Sequence, residues 1–299
     1  MSMVIAEIQT TLDNIAAQPT LFMEANFSSR ADALDELEFH VIDRLDNLLA
    51  AGQSAALNCL SNQATALKKR LEGLDKHLFR RLQKLIWTGQ YTPDGLRALL
   101  ATYMGPAGIS NGSSPATSYD SLDVLTDGLF LKPDSLIEVP TREPEMVYYQ
   151  KTPARIIWEL AASLAAHDTF YDLGSGLGQV PMLVRLLTGA TAKGVEIEPA
   201  YCQHAQACAD ALRLTRVHFF NADARSLDYA DGTAFFLFTP FTGYILQRVL
   251  DRLGQVAERK SLKIFSYGPG TQALTQQPWL RLVTPHNNHL YQLAEFRSY

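Results

Sequence analysis

At 299 residues the chain is long enough for one large or two modest domains, and 47% hydrophobic with 19% charged residues is the balance of a globular protein. A formal net charge of −5 and a pI of about 5.8 exclude a global basic field that would draw nucleic acid. No apolar run reaches the ~18 residues that a membrane span needs. The three cysteines, Cys59, Cys202 and Cys208, form neither a CxxC pair nor a disulfide framework.

Residues 1–104 read as all helix. The start carries Glu7 and Asp13 without a basic run, so no signal peptide is expected, and the unpaired thiols fit a reducing cytoplasm. From Ser28 to Ala50, apolar residues recur at Leu34, Leu37, Val41, Leu45 and Leu48, one face of a helix that Gly52 ends. A second seam runs Leu57, Leu60, Ala64, Leu67, Leu71, Leu74, Leu78, Leu82 and Leu85, narrow enough to pack along a neighbouring helix as a hairpin. Its other face carries Lys68, Lys69, Arg70, Lys76, Arg80, Arg81 and Lys84, read as a solvated surface. A third helix starts at Thr92-Pro93, a cap followed by proline, and ends near Gly105. Residues 105–118, rich in Gly, Ser and Pro, predict a linker, and Tyr119–Val139 shows no assignable period.

From Pro153 the pattern alternates: helix 153–166, strand 170–173, a helix through Val180 and Leu187, strand 191–197, helix 199–212, strand 216–221, strand 233–239, helix 243–257, strand 261–267 and a short helix near 271–277. Strands at 279–284 and 289–297, joined by the turn 285–288, predict a terminal hairpin in which His286 and His289 are turn residues. The expected fold is α/β: a doubly wound, mostly parallel seven-stranded sheet closed by an antiparallel hairpin and preceded by an all-α domain. The expected boundaries are 1–104 for the helical domain, 105–118 for the linker and 119–299 for the sheet domain.

The chemistry centres on Asp172-Leu-Gly-Ser-Gly-Leu-Gly178, where the first strand turns through Gly174, Gly176 and Gly178 into a helix. A ligand can approach such a backbone closely, because glycine has no Cβ. The spacing is not the G-x-G-x-x-G of a dinucleotide site, and a carboxylate two residues before the first glycine repels a pyrophosphate. It suits a cationic ligand. Two further acids stand at strand ends: Glu196 after the second, placed to accept ribose hydroxyls, and Asp223 after the third, placed to accept an adenine amino group.

Residues 148–299 resemble the class I S-adenosylmethionine-dependent methyltransferases. The glycine loop looks most like that of the Dot1-like lysine methyltransferases, and Tyr149-Gln-Lys-Thr-Pro153 is similar to the entry segment of small protein-lysine methyltransferases. The resemblance implies S-adenosylmethionine as cofactor. It implies a cofactor site of Tyr149, Thr152, Asp172, Gly174, Ser175, Gly176, Gly178, Glu196, Ile197, Ala222, Asp223, Ala224 and Thr239, and no metal. Tyr148, Tyr149 and Phe241 are the aromatic candidates for holding the sulfonium or a cationic acceptor, and so for catalysis. The chain departs from the pattern at Phe238-Thr-Pro-Phe241: Thr239 cannot supply the amide or carboxylate that methyltransferases of adenine nitrogens use, which argues against a nucleic-acid acceptor. The expected function is methyl transfer to an amine or other nucleophile of a small molecule or protein side chain, lysine included, with no membrane partner and with the helical domain offering a homodimer contact. The alternative is a cofactor-binding module that no longer catalyses and works through its helical half.

Overall fold

The computed structural model describes residues 2–52, 54–104, 120–130, 143–284 and 289–299. The chain divides into two compact units, one of 1–85, 98–113 and 119–129, the other of 86–97, 114–118 and 130–299.

In the first unit α1 (Ser2–Ala16) is followed by two short 3-10 turns and then by α2 (Phe27–Glu36), a π-helical stretch (Leu37–Ile42) and α3 (Asp43–Ala51) in unbroken succession. Leu37, Val41 and Leu45 of that run are fully buried, as their spacing predicts, and the chain leaves the helix at Gly52. The leucine seam forms α4 (Ala55–Trp87), which closes the same core through Leu57, Leu60, Ala64 and Leu71. Among the described residues, three of the seven cations on the basic face of α4 are ion-paired: Lys68 with Glu38 and Glu72, Lys76 with Glu72, and Arg81 with Glu24. At its centre the fully buried Arg30 meets Asp75 at 2.6 Å and donates to the carbonyls of Leu21 and Met23. Thr92 caps α5 (Pro93–Ala101), its Oγ1 accepting from Gly95 N at 3.1 Å. The stretch 119–139, which has no readable period, contains α6 (Ser121–Leu129); this helix clusters with the first unit, and Gln83 reaches the carbonyls of Gly128 and Leu129. The predicted linker 105–118 lies outside the described residues.

The second unit is built on α7 (Ala154–Ala162), β1 (Thr169–Leu173), α8 (Gln179–Thr188), β2 (Thr191–Glu196), α9 (Pro199–Ala211), β3 (Val217–Asn221), β4 (Ala234–Leu237), α10 (Gly243–Ala257), β5 (Lys263–Ser266), α11 (Thr271–Thr275), β6 (Leu280–Leu282) and β7 (Ala294–Ser298). They form a seven-stranded sheet in the order β3-β2-β1-β4-β5-β7-β6. The first five strands are parallel and β7 runs antiparallel between β5 and β6. Ala234 to Leu237 are all buried, as expected of a strand covered on both faces. α10 lays Ile245, Leu246, Val249, Leu250 and Leu253 into a core with Tyr171, Leu173, Phe235 and Leu237.

Several predicted boundaries shift, two of them with a visible cause. The helix expected over 153–166 stops at Ala162, because Asp168 accepts from Ala165 N at 2.8 Å and draws the next residues into a turn. The last strand begins at Ala294, not 289, because β5 offers a ladder only from Lys263 to Ser266; before it, Leu290 accepts from Gly268 N and Tyr291 packs on Tyr267. The predicted turn 285–288, with His286, lies outside the described residues. No helix among the described residues is long and apolar enough to cross a membrane.

Candidate active site

The site lies at the carboxyl ends of β1, β2, β3 and β4, where parallel sheets open toward ligands. Asp172 and Leu173 end β1, and the chain then turns back on β2: Gly174 N and Ser175 N both donate to Val195 O, at 2.8 and 3.0 Å. Gly174 has φ +83°, and a Cβ there would stand 2.2 Å from Pro240 in the loop after β4. At Gly176, φ is +51° and a Cβ would stand 2.2 Å from the ring of Tyr149. Both positions therefore exclude a side chain by conformation and by space.

Glu196, 7% exposed at the end of β2, accepts from Gly176 N at 2.7 Å and from Glu198 N at 2.9 Å. Burial pushes its carboxyl above the usual range, and the backbone N–H bonds oppose that shift. Asp172 is 3% exposed; burial, and then the neighbouring Glu196, raise it well above the usual range. Two buried carboxylates near each other, with no cation contributing to either, are electrostatically suited to a cationic guest. Ser175 Oγ is buried and without a hydrogen-bond partner among the described residues. Orphaned hydroxyl, paired acids and side-chain-free loop together fit the cationic amino-acid end and the ribose of S-adenosylmethionine.

Asp223 occupies a different setting. Arg225 Nε grips both its carboxylate oxygens at 3.0 and 2.9 Å, and this hydrogen bonding holds the carboxyl below the usual range. The same guanidinium reaches Glu143 through two bonds of 3.1 and 2.6 Å. Glu143 begins a strap across the ends of the strands. Two residues on, Glu145 accepts from Tyr244 N and Ile245 N at the start of α10, at 2.9 and 2.8 Å. Met146 bridges to Phe241, and Val147 N donates to Pro240 O at 3.1 Å.

The strap ends in the predicted aromatics. Tyr148 is 80% exposed at the mouth. Tyr149 covers Gly176 and lies 5.5 Å from the ring of Tyr201. Phe241 lines the cleft but belongs mainly to the core under α10. One cavity is lined by Tyr148, Tyr149, Gly174, Glu196, Ile197, Ala222, Asp223, Ala224, Thr239 and Phe241. A second is lined by Thr152, Asp172, Ser175 and Gln179. They share Tyr149, Gln150, Gly174 and Phe238 as walls. Of the predicted site residues only Gly176 and Gly178 line neither. Gly176 holds Glu196 and lies beneath Tyr149, and Gly178 precedes α8, where a Cβ would meet Ala205 and Phe219. Thr239 sits at φ +40°, its Oγ1 donating to Tyr267 O and accepting from Gly270 N, each at 3.4 Å.

Sequence reasoning missed Arg225, Tyr201 and Phe238. Arg225 had a local signal, a base two residues after a strand-end acid. Tyr201 had none, since its ring meets Tyr149 only through the fold.

Residues 149–237 match the family model described as histone methylation protein DOT1. None of the curated proteins matches the chain. Among solved structures, an RNA methyltransferase from Salinibacter ruber in complex with S-adenosyl-L-homocysteine is 22% identical, with a TM-score of 0.37, covering 54% of this chain and 92% of that one. A putative methyltransferase from Escherichia coli is 16% identical, with a TM-score of 0.40, covering 48% and 86%. A precorrin-6y C5,15-methyltransferase from Geobacter metallireducens is 15% identical, with a TM-score of 0.38, covering 58% and 95%. The matched family segment runs from Tyr149 through the glycine loop and both buried acids to the end of β4, so it spans the cleft itself. The segment 149–237, which carries the glycine loop and both buried acids, is similar to the DOT1 methylation proteins, and the cleft it builds fits S-adenosylmethionine.

Proposed function

We propose that the enzyme methylates an amine, carried by a small molecule or by a protein side chain such as lysine. The observation that supports this reading is the aromatic lining of the main cavity, Tyr148, Tyr149, Tyr201, Phe238 and Phe241, with no Lys, Arg or His among the lining residues. Aromatic faces attract a cationic group, a contact that contributes about 0.5–2 kcal/mol. The DOT1 match, a family described by histone methylation, points the same way. Thr239, engaged with the backbone after β5, offers no amide or carboxylate for a base amino group.

In this reading Glu196 accepts from the ribose, Asp223 from the adenine, and Asp172, Ser175 and Thr152 hold the amino-acid end. Bound S-adenosylmethionine supplies an activated methyl group, so the protein contributes mainly alignment and exclusion of water. Tyr149 and Phe238 are walls common to both cavities, and this reading assigns them to the junction between the adenosine and amino-acid ends. No histidine lines the cavity, so the acceptor amine enters neutral or loses its proton to a carboxylate or to solvent.

The test is S-adenosylhomocysteine release by the full chain, offered polyamines, free lysine and lysine-rich peptides in turn. Release with any of them, accompanied by a mass gain of one methyl on nitrogen, supports the proposal. Tight S-adenosylmethionine binding with no turnover on any amine would favour the non-catalytic interaction module.

A further inference from the structure

A third cavity lies wholly within the second unit, at the opposite end of the strands from the cofactor cleft. It is formed by the α4–α5 turn (Trp87, Thr88, Gly89, Tyr91, Pro93), the end of α8 (Arg185, Gly189) and the turn before β3 (Arg213, Leu214, Thr215). We propose that this cavity is a binding site for a phosphate-bearing small molecule, held by Arg185 and Arg213 and walled by Trp87 and Tyr91.

The first ground is charge. The lining contains two arginines and no acid. Arg216 stands at the margin, its Nε donating to Thr191 Oγ1 at 3.0 Å and its Nη2 to Ala166 O at 3.5 Å. Among the described residues none of these three arginines forms an ion pair, whereas Lys68, Arg81, Lys193, Arg225, Lys263 and Arg297 all do. Arg185 is half-buried, and burial and then Arg216 push its guanidinium below the usual range. Like charges gathered in a partly desolvated recess are unfavourable alone, and an anion between them removes that cost.

The second ground is geometry. Arg185 Nη1 donates to the carbonyls of Gly189 and Ala190, which fixes the fork and leaves Nε and Nη2 for a ligand. The Arg213 guanidinium lies 3.9 Å from the centre of the Trp87 ring, a stacking that orients its edge. Arg213 and Arg216 both take left-handed backbone, at φ 51° and 64°, unusual for residues with side chains. The recess thus presents two oriented guanidinium forks beside aromatic walls, and a phosphate matches that donor set. The protein's net charge of −5 gives no general attraction for anions, so binding here has to come from the local cluster.

Calorimetry on the full chain, saturated with S-adenosylhomocysteine to close the cofactor cleft, tests the site. The probes are inorganic pyrophosphate, uridine 5′-monophosphate and a short single-stranded oligonucleotide. We expect pyrophosphate or the mononucleotide to bind, and Arg213→Gln and Arg185→Gln each to weaken that binding about tenfold or more, with S-adenosylhomocysteine affinity unchanged. Equal affinity for the two small probes identifies phosphate alone as the ligand group; tighter binding of the mononucleotide, lost in Trp87→Ala, adds a ring against the tryptophan. If Arg185→Gln fails to fold, the exposed Arg213→Gln carries the test. No binding of either small probe, binding insensitive to Arg213→Gln, or binding of the oligonucleotide alone would each overturn the proposal.

Discussion

Asp172 is the residue at which stability and function oppose each other. Its folded carboxyl titrates above its unfolded value, so its contribution to stability is fully present below the unfolded pKa and is lost as pH rises through the folded one. Asp172→Asn should therefore raise the melting temperature of the ligand-free protein, by about 2–4 °C for each kcal/mol relieved, and the gain should grow with pH. The same change should weaken S-adenosylmethionine binding, because the carboxylate facing its cationic end is gone. Thermal melts at pH 4 and pH 8 check the first half and calorimetry the second; a variant that melts lower at pH 8 would show that the acid is satisfied as it stands. At Gly176 two penalties meet, a left-handed φ and the ring of Tyr149. Gly176→Ala should cost roughly 1–2 kcal/mol for the conformation alone, plus displacement of the tyrosine. Adding Tyr149→Ala should return part of the stability but none of the cofactor affinity. If the two losses simply add, the ring is not what limits the loop.

Among the elements, the strap from Glu143 to Gln150 sets the shape of the cleft. Its anchors are Glu143 on Arg225 and Glu145 on the first turn of α10. Backbone N–H bonds hold the Glu145 carboxyl below its usual range, so its contribution is present above the unfolded pKa and lost as pH falls through the folded one. Glu145→Ala should raise the dissociation constant for S-adenosylmethionine severalfold with a small change in melting temperature. Glu145→Gln should recover little of this, since an amide oxygen can cap only one N–H strongly. Arg225→Met should weaken cofactor binding about tenfold, because Asp223 loses both the charge and the aim that Arg225 gives it. Wild-type affinity in that variant would remove Asp223 from the cofactor site.

At the scale of the whole molecule the compact unit of the sheet is not one segment starting at 119, since α6 clusters with the other unit. Residues 86–97 belong to the compact unit of the sheet. Within it, Arg97 lies 4.8 Å over the Trp158 ring and donates to Trp158 O at 3.1 Å, and Gly189 lies against Pro93. A fragment starting at Val139 should therefore melt well below the full chain and expose Trp158 to quenchers. A fragment that melts as the full chain does would show residues 86–97 to be dispensable.

The parallel sheet, the glycine loop and the strand-end acids were legible in the residues themselves, because each rests on local rules: short apolar runs alternating with helical periods, φ values that only glycine adopts easily, and the position of an acid at the end of a strand. The histidine-bearing turn and the linker fall on 285–288 and 105–118, outside the described residues. Other features became visible only in three dimensions. Arg225 was readable as a base near Asp223, but its second partner, Glu143, lies 82 residues away. Tyr149 was readable as an aromatic near the loop, but its place over Gly176 and beside Tyr201 depends on how the strap folds back. The early end of α7 and the late start of β7 follow from the Asp168 turn and the short ladder of β5, contacts that a propensity scale does not contain. Periodicity and turn chemistry are written in neighbouring residues, so the chain alone determined its elements and the order of its acids. Which acid stays buried, which is clamped by arginine and what covers the loop are pairings between distant residues, and only the tertiary fold decided them.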